Sequence, residues 1–453
     1  MSIGFCRVAI AGKSVKELDQ LRYETRIVAG IDIGTTKCVA VVAEIDTNGA
    51  VRVLAQGRSI MRGVTRGQIV DVDQAVLSVK EAVDDLVRIY HDPLPRFLLT
   101  ISGEQIYGKD TAGTQPISGQ YVTEQDIKDA EILALGNLEL EPDDRLIKSE
   151  RVSFTYRNSE NVDSVLGQKI TKFKLRMHAA IGDVVTCDNL IKTIRRNNLY
   201  EAQILPQGWA SAYAVLTEEE RMNGALVLDI GADTTDICVM QNGAPRLTMS
   251  VPAGGNDITR QLAGYMHCSM QEAEKIKQRL DMRALPETEK VFINVVQTHT
   301  GQTASFTVYE LSLIVARVYQ SWVDGIFLKL LEAQWFRTKD DGAGRYWPEN
   351  HRLPAGVVIT GGGSLITQAA YLFQNQAGPF GYTFTTRCGS PLYRGEASIG
   401  LTSPKESAVM GLIFYAANEL KNGRDVLAGT DSSRPTVSRR IKGFLKRFFI
   451  GEF

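Results

Sequence analysis

The chain has 453 residues, length for about two to four domains with sizeable cores. Its apolar share of 44% and charged share of 23% are those of an ordinary globular protein, and a net charge of −1 speaks against a dedicated nucleic-acid binder. Cys6, Cys38, Cys187, Cys238, Cys268 and Cys388 lie far apart with no C-x-x-C spacing, and none of the five histidines pairs at ligand spacing. That excludes a disulfide framework and a clustered metal site and predicts reduced cysteines in a cytosolic protein. No apolar run approaches the ~18 residues of a membrane span. The first 24 residues carry an apolar patch, IGFCRVAIAG, too short for a signal segment with normal flanks.

Residues 26–42, RIVAGIDIGTTKCVAVV, read as an apolar strand ending in Asp-Ile-Gly, a Thr-rich turn and a second apolar strand. An Asn48-Gly49 turn then leads to a third strand, VRVLAQGRSI. Val72, Ala75, Val76, Val79, Val83, Leu86, Val87 and Tyr90 recur at helical spacing. FLLTIS (97–102) and KFKLRMHAAIGD (172–183) are predicted strands, and CDNLIKTIRRNN is a predicted helix. Residues 224–240, GALVLDIGADTTDICVM, repeat the opening pattern, with Asp229 where Asp32 stands in the first copy. Two copies almost 200 residues apart predict a duplicated domain. Residues 308–335 are strongly helical in pattern, and GVVITGGGSLI (356–366) is a buried strand with three glycines opening a helix. Thr402, Ser403 and Pro404 supply an N-cap and a first-turn proline for KESAVMGLIFYAANEL.

A polar linker, 421–437, precedes the last segment. There Ile441, Phe444, Leu445, Phe448 and Phe449 share one helical face, and Arg439, Arg440, Lys442, Lys446 and Arg447 cover the rest. This is the composition of a helix lying in a membrane interface. A terminal helix docked on the protein's own core is the other reading.

The two Asp-Ile-Gly turns carry the chemistry. Gly34, Thr35, Thr36 and Lys37 present backbone N–H groups and hydroxyls to a concave space, the arrangement that holds phosphate oxygens. Asp32 and Asp229, at the strand ends, suit Mg²⁺ held through its waters. Gly361, Gly362 and Gly363 let a ligand approach the backbone at a helix start.

Together these motifs resemble the actin-like ATPase superfamily. The resemblance implies an α/β fold of two duplicated ribonuclease-H-like halves with ATP and Mg²⁺ between them. Gly34, Thr35, Thr36 and Lys37 match its first phosphate motif. Gly231, Ala232, Asp233, Thr234 and Thr235 match the second, and Gly361 to Gly363 the adenosine motif. AEKIK (273–277) looks like its E-x-x-K helix, which implies that Glu274 and Lys277 reach ribose and base; an ordinary solvated helix face is the alternative. Asp233 departs from the usual glycine: either it points away from the phosphates, or nucleotide binding is weakened. Gln207 is the candidate for positioning a water, and otherwise an exposed residue at a helix start. Hydrolysis is expected to be slow or absent.

Within the superfamily the chain is most similar to the FtsA family. Only about a dozen residues follow the third strand, too few for subdomain 1B, whereas 103–171 form a long insertion. In that insertion PISGQYVTEQDIKDA, with Thr123 as N-cap and Asp126 at N3, resembles the lead into the FtsA 1C helix. NVDSVLG (161–167) loosely matches an FtsA loop but lacks its proline, and GWASAYAVLTEEER (208–221) resembles the segment between the halves. The resemblance covers roughly 26–420. It implies a tail over 1–25, subdomain 1A in 26–102 and 172–215, and 1C in 103–171. It further implies 2A in 216–262 and 325–395, 2B in 263–324, a helix returning to 1A over 396–420, a linker over 421–438 and a membrane helix over 439–453.

The expected function is that of a divisome component. Such a protein polymerises with itself, binds the C-terminal peptide of FtsZ and other division proteins, and attaches to an anionic membrane surface. Its location would be the cytoplasmic face of the inner membrane at the septum. Rival readings are a PilM-like pilus protein, disfavoured by the linker and tail, and a sugar or acyl kinase, for which the Asp-bearing Gly-rich motif is missing. An iron–sulfur activator ATPase would need clustered cysteines.

Overall fold

The computed structural model describes residues 25–280, 285–335, 337–338, 345–346, 352–366, 368–377, 385–392 and 401–426. The predicted amphipathic segment 439–453, with Arg440, Ile441, Lys442, Phe444, Leu445, Lys446, Arg447, Phe448 and Phe449, lies outside the described residues, as do 1–24 and most of the linker.

Strands β1 (Arg26–Ile33), β2 (Lys37–Ile45) and β3 (Val51–Ile60) form an antiparallel meander. Helix α1 (Val72–Val87) follows, with Asp71 accepting the Gln74 N–H as its cap. Strand β4 (Phe97–Ile101) then pairs parallel to β1. The chain leaves through β5 (Tyr107–Pro116), α2 (Glu124–Gly136), β6 (Asp144–Tyr156), β7 (Ser159–Val162) and β8 (Lys172–Asp183). It returns through α3 (Val184–Arg195) to β9 (Glu201–Pro206), parallel to β4. The first sheet is ordered β9-β4-β1-β2-β3.

Both faces of this sheet are covered, which is why β1 and β2 are apolar on both faces. Alternation sorts their side chains. Ala29, Ile31, Ala40 and Val42 meet Val79 of α1 and Leu190 of α3. Val28, Val39 and Val41 face the interior between the halves.

Helices α4 (Gln207–Val215) and α5 (Glu218–Asn223) lead into the second half. Strands β10 (Ala225–Ile230), β11 (Thr235–Gln241) and β12 (Ala244–Val251) repeat the meander. Then come α6 (Gly255–Met266), α7 (Met270–Lys277), the hairpin β13 (Phe292–Val296) and β14 (Thr303–Thr307), and α8 (Val308–Glu332). Strands β15 (Val357–Thr360) and β16 (Thr386–Cys388) flank α9 (Ala369–Ala377). The second sheet, β12-β11-β10-β15-β16, has the strand pattern of the first: a meander, then two parallel strands. This is the predicted duplication. Helix α8 is long and apolar enough to cross a membrane, a property that uninterrupted apolar runs did not reveal. Leu311, Val315, Tyr319, Val323, Ile326 and Leu330 are nevertheless buried in the core of the second half.

The last helix among the described residues, α10 (Ser407–Lys421), crosses α4 between the halves. Leu412 lies over Gly30 of β1, and a Cβ at Gly411 would overlap the Ala210 carbonyl. Tyr213 and Tyr415 meet edge to face at 5.2 Å. The contact seals because small residues let the two backbones touch.

The insertion is a lobe with its own sheet, β5-β8-β6-β7, covered by α2. The predicted capping box is present: Asp126 N–H donates to Thr123 Oγ1, and the Thr123 N–H donates to Asp126 Oδ2. The boundary differs from the sequence reading. Residues 172–183 do not rejoin the first sheet but pair with β5 and β6 along their length, placing Phe173, Leu175 and Met177 in the lobe core. By pairing, the lobe runs to Asp183. It also rests on the second half. His178 Nε2 is 2.9 Å from Thr248 Oγ1, and Trp209 Nε1 donates to the same oxygen at 2.6 Å.

The helix crossing predicts a contrast between two helical glycines. Gly411→Val should cost about 3 kcal/mol or more, because backbone must move to admit the side chain. Gly325→Ala on α8, where a Cβ meets open space, should be neutral or stabilise by up to about 1 kcal/mol. Urea unfolding curves of both variants check this.

Candidate functional site

The two Asp-Ile-Gly hairpins are built alike. Ile33 pairs with Cys38 and Ile230 with Thr235, so each loop has the same length. Gly34 N–H donates to the Lys37 carbonyl at 3.0 Å, and Gly231 N–H to the Thr234 carbonyl at 2.8 Å. Each turn is held by a neighbour. The Met61 N–H caps the Thr36 carbonyl, and the Gly255 and Asn256 N–H groups at the start of α6 cap those of Gly231 and Ala232.

The hairpins face each other across a cleft of about 830 Å³. Asp32, Gly34, Thr35, Thr36, Lys37, Gln207, Asp229, Gly231, Ala232, Thr234, Glu274, Lys277, Gly361, Gly362 and Gly363 all line it. Two predicted residues do not. Thr235 is buried in β11 and donates to the Ala253 carbonyl. Asp233 turns aside, accepting from Asn256 Nδ2 at 2.9 Å and pairing with Arg260 at 3.4 Å. Of the two expectations for Asp233, the geometry is the one in which its charge leaves the loop.

Asp32 and Asp229 line the cleft as buried carboxyls, and Asp236, the register partner of Asp229, is buried beside them. Asp32 accepts from Thr100 Oγ1 at 2.7 Å, and burial raises its pKa although Lys37 opposes the shift. Asp229 accepts from Ser211 Oγ at 2.5 Å and Gln207 Nε2 at 3.2 Å; burial pushes it up to about 6. Asp236 accepts from Ser102 Oγ at 2.7 Å, and burial beside Asp229 pushes it up to about 8. Buried anions with so few donors favour a cation or a proton nearby. Gln207 is buried here, not the exposed helix-start residue of the plainer expectation.

The glycine turn closes the cleft from the second half. The three glycines open a 3₁₀ turn, Gly362–Leu365, not an α-helix. Gly361 has φ of 79°, and a Cβ there would overlap Asp229 and the Ile230 carbonyl, so only glycine fits. Its N–H donates to the Pro404 carbonyl, and Thr360 Oγ1 lies 2.6 Å from Ser407 Oγ at the start of α10. Lys37 reaches the same place, bonding the Lys405 carbonyl and pairing with Glu406 at 3.3 Å.

Glu274 and Lys277 form no idle surface pair. Lys277 is buried, 2.6 Å from Glu274, and donates to Thr259 Oγ1 and the Gly255 carbonyl at 3.0 Å. Burial would raise the Glu274 carboxyl, but Lys277 and Thr259 hold it below the ordinary range. Sequence reasoning missed Ser102, Asp236, Asn256, Thr259 and Lys405. The Gly-Gly-Asn-Asp run at the start of α6 was the one available signal for Asn256.

The family model for cell division protein FtsA matches residues 226–411. The chain is 27% identical over 399 residues to cell division protein FtsA of Neisseria meningitidis serogroup B, covering 87% of this chain and 91% of that one. It is 26% identical over 435 residues to cell division protein FtsA of Escherichia coli (strain K12), covering 94% and 99%. Among solved structures, the PilM–PilN type IV pilus biogenesis complex aligns with a TM-score of 0.56 and 14% identity, over 86% of this chain and 98% of that one. MreB5 of Spiroplasma citri bound to ADP aligns with a TM-score of 0.50 and 15% identity, over 88% and 98%. These structural likenesses concern the fold. By fold this is an actin-like protein, and by sequence it is similar over most of its length to the cell division proteins FtsA.

Proposed function

We propose that the chain is an ATP-binding division protein that assembles with copies of itself and tethers FtsZ filaments to the inner face of the cytoplasmic membrane at the septum. One observation carries the nucleotide part: two matched phosphate-type hairpins and a glycine turn converge on a single cleft. In this reading the hairpin N–H groups and Lys37 hold the phosphates, Gly361 to Gly363 the adenosine, and Glu274 and Lys277 the ribose and base. MreB5, whose fold is similar, was solved with ADP.

Mg²⁺ suits the floor of the cleft. Among the described residues no cluster of three or more His, Cys, Asp or Glu offers a direct cage. Asp32 and Asp229 are instead two buried carboxylates facing the cleft, apt to accept from metal-bound waters, as Mg²⁺ keeps much of its hydration. Bound there, the ion would neutralise phosphate charge. Gln207, its amide given to Asp229, is the candidate for orienting a water, and turnover is slow or absent.

The division role is supported by the FtsA relatives. The membrane role is supported by the tail composition. Five apolar side chains contribute a gross ~1.5–3 kcal/mol each, basic residues about 1 kcal/mol each near anionic lipid, and ordering the tail costs about 1–2 kcal/mol per residue. A single tail therefore binds weakly, and a filament of many binds through effective concentration. Residues 263–324, assigned by resemblance to the FtsZ peptide, include the hairpin β13–β14 with Phe292 and Val296 exposed.

Gly362→Arg should abolish ATP binding measured by calorimetry in a protein that keeps its melting temperature; unchanged affinity refutes the nucleotide site. Asp32→Ala should weaken Mg·ATP at least tenfold while changing metal-free ATP much less, and equal losses refute the metal role. Phe448→Glu should cost a few kcal/mol of binding to anionic vesicles in co-sedimentation. Lys442→Ala with Lys446→Ala should cost about 1 kcal/mol per residue, on anionic lipid only. A Phe448→Glu protein that sediments like wild type, or that melts several degrees lower, refutes the membrane helix.

A further inference from the structure

Lys37 holds the place in the first hairpin that Thr234 holds in the second, so of the two loops only the first brings a cation to the cleft. Its ammonium is already engaged. It donates to the Lys405 carbonyl and to Glu406 Oε2, the latter at 3.3 Å, with two of its three protons. The other carboxylate oxygen, Glu406 Oε1, pairs with Arg58 Nη1 at 3.1 Å. One carboxylate is thus shared by two cations, one on each oxygen. Lys37 lines the cleft, whereas Glu406 and Arg58 do not. The carboxylate is fixed through its backbone. It ends the 3₁₀ turn Pro404–Glu406, where the Glu406 N–H donates to the Ser403 carbonyl at 2.9 Å. The Pro404 carbonyl in turn accepts from Gly361 N–H at 3.2 Å, which ties this turn to the glycine turn of the cleft.

Burial decides how the three charges divide their work. The Glu406 side chain is 3% exposed, against 32% for Lys37 and 44% for Arg58. A buried carboxylate is costly unless a cation stays on it, whereas water can serve a part-exposed ammonium or guanidinium. A phosphate at the first hairpin draws on the Lys37 charge that Glu406 holds. Arg58, on strand β3 and outside the cleft, keeps Glu406 neutralised when Lys37 is drawn away. Without Arg58 the carboxylate would depend on Lys37 alone and hold it harder. The Glu406 charge also reaches the cleft directly. Burial raises the Asp32 carboxyl, Lys37 lowers it, and Glu406 raises it further.

We infer that Glu406 is a counter-ion that competes with nucleotide phosphate for Lys37, and that Arg58 sets the strength of this competition by sharing the carboxylate. The inference rests on the nucleotide reading above. Glu406 and Arg58 act through Lys37 and are positioning residues.

The test is calorimetric affinity of the full chain for Mg·ATP and for inorganic tripolyphosphate. Glu406→Gln keeps the shape and an accepting oxygen but removes the charge, and should tighten both ligands about tenfold. Arg58→Ala should weaken both about threefold, the scale of a half-exposed ion pair, and Arg58→Lys should stay within about twofold of wild type. The double variant should bind like Glu406→Gln alone, because Arg58 has no lever once the carboxylate charge is gone. A merely structural role weakens binding in both single variants. Glu406→Gln protein that folds and binds no tighter than wild type overturns the competition and leaves the nucleotide site standing, as does an Arg58→Ala loss that persists beside Glu406→Gln. Binding of tripolyphosphate without ATP overturns the nucleotide reading, and the order of the variants on tripolyphosphate then decides the role of Glu406. Binding of neither ligand by wild type or Glu406→Gln overturns both. If Glu406→Gln fails to fold, acetylation of Lys37 by acetic anhydride, followed by mass spectrometry without nucleotide, decides. Arg58→Ala should slow it about twofold or more, since a carboxylate held by Lys37 alone favours the charged ammonium, and Arg58→Lys should restore it; an unchanged rate refutes the sharing.

Discussion

Helices α4 and α10 touch through backbone, at Gly411 and the Ala210 carbonyl, and much of the molecule is arranged around that contact. Each helix leaves one sheet and covers the other. Helix α4 follows β9 of the first sheet and packs against β10 and β11 of the second; α10 follows the second sheet and lies on β1. Neither half can bury its inner face alone, since Val28, Val39 and Val41 on one side and Val227, Cys238 and Met240 on the other complete one core with these helices. A duplicated domain thereby becomes one body with a cleft at its centre.

The cleft has an electrostatic consequence. Asp32 and Asp229 end equivalent strands, so duplication brings two carboxyls to opposite sides of one space, and Asp236 adds a third. Burial raises all three above the ordinary carboxylate range. A group whose folded pKa is raised above its unfolded value, when it is an acid, costs stability as pH climbs past the unfolded value. Asp236, pushed up to about 8, therefore keeps its proton at neutral pH, and a cation bound near Asp32 and Asp229 would lower the cost of ionising them. Holding such a site open is what functional clefts do with buried acids. Asp233, by contrast, does not line the cleft, and its charge is met by Asn256 and Arg260.

Much of this was legible in the sequence, where chemistry is local. The hairpins, the strands 51–60 and 172–183 and the Thr123–Asp126 capping box follow from turn residues and period-two alternation within a few residues. What failed needed partners distant in sequence. Alternation identifies 172–183 as a strand but does not say which sheet it joins, and it joins the lobe. Ser102 and Asp236 are 134 positions apart, and neither carries a motif; only folding makes them a pair. Gln207 reads as a polar helix start and is buried because Asp229 takes its amide.

Helix α4 shows how few residues can serve several surfaces at once. All nine are buried, and each direction around the helix has its own task. Gln207 and Ser211, four residues apart and so on one face, both donate to Asp229 in the cleft. Ala210 meets Gly411 on α10. Trp209 points away from both and donates to Thr248, the hydroxyl that also meets His178 of the lobe. Because tryptophan can only donate, Thr248 accepts from it and has its own proton free for His178 Nε2. The imidazole then donates from Nδ1 to Asp110, 2.7 Å away at the lobe edge. Cleft, crossing and lobe are thus referenced to one short rigid helix, and a shift of α4 that altered the hold on Asp229 would have to be accommodated at the lobe as well.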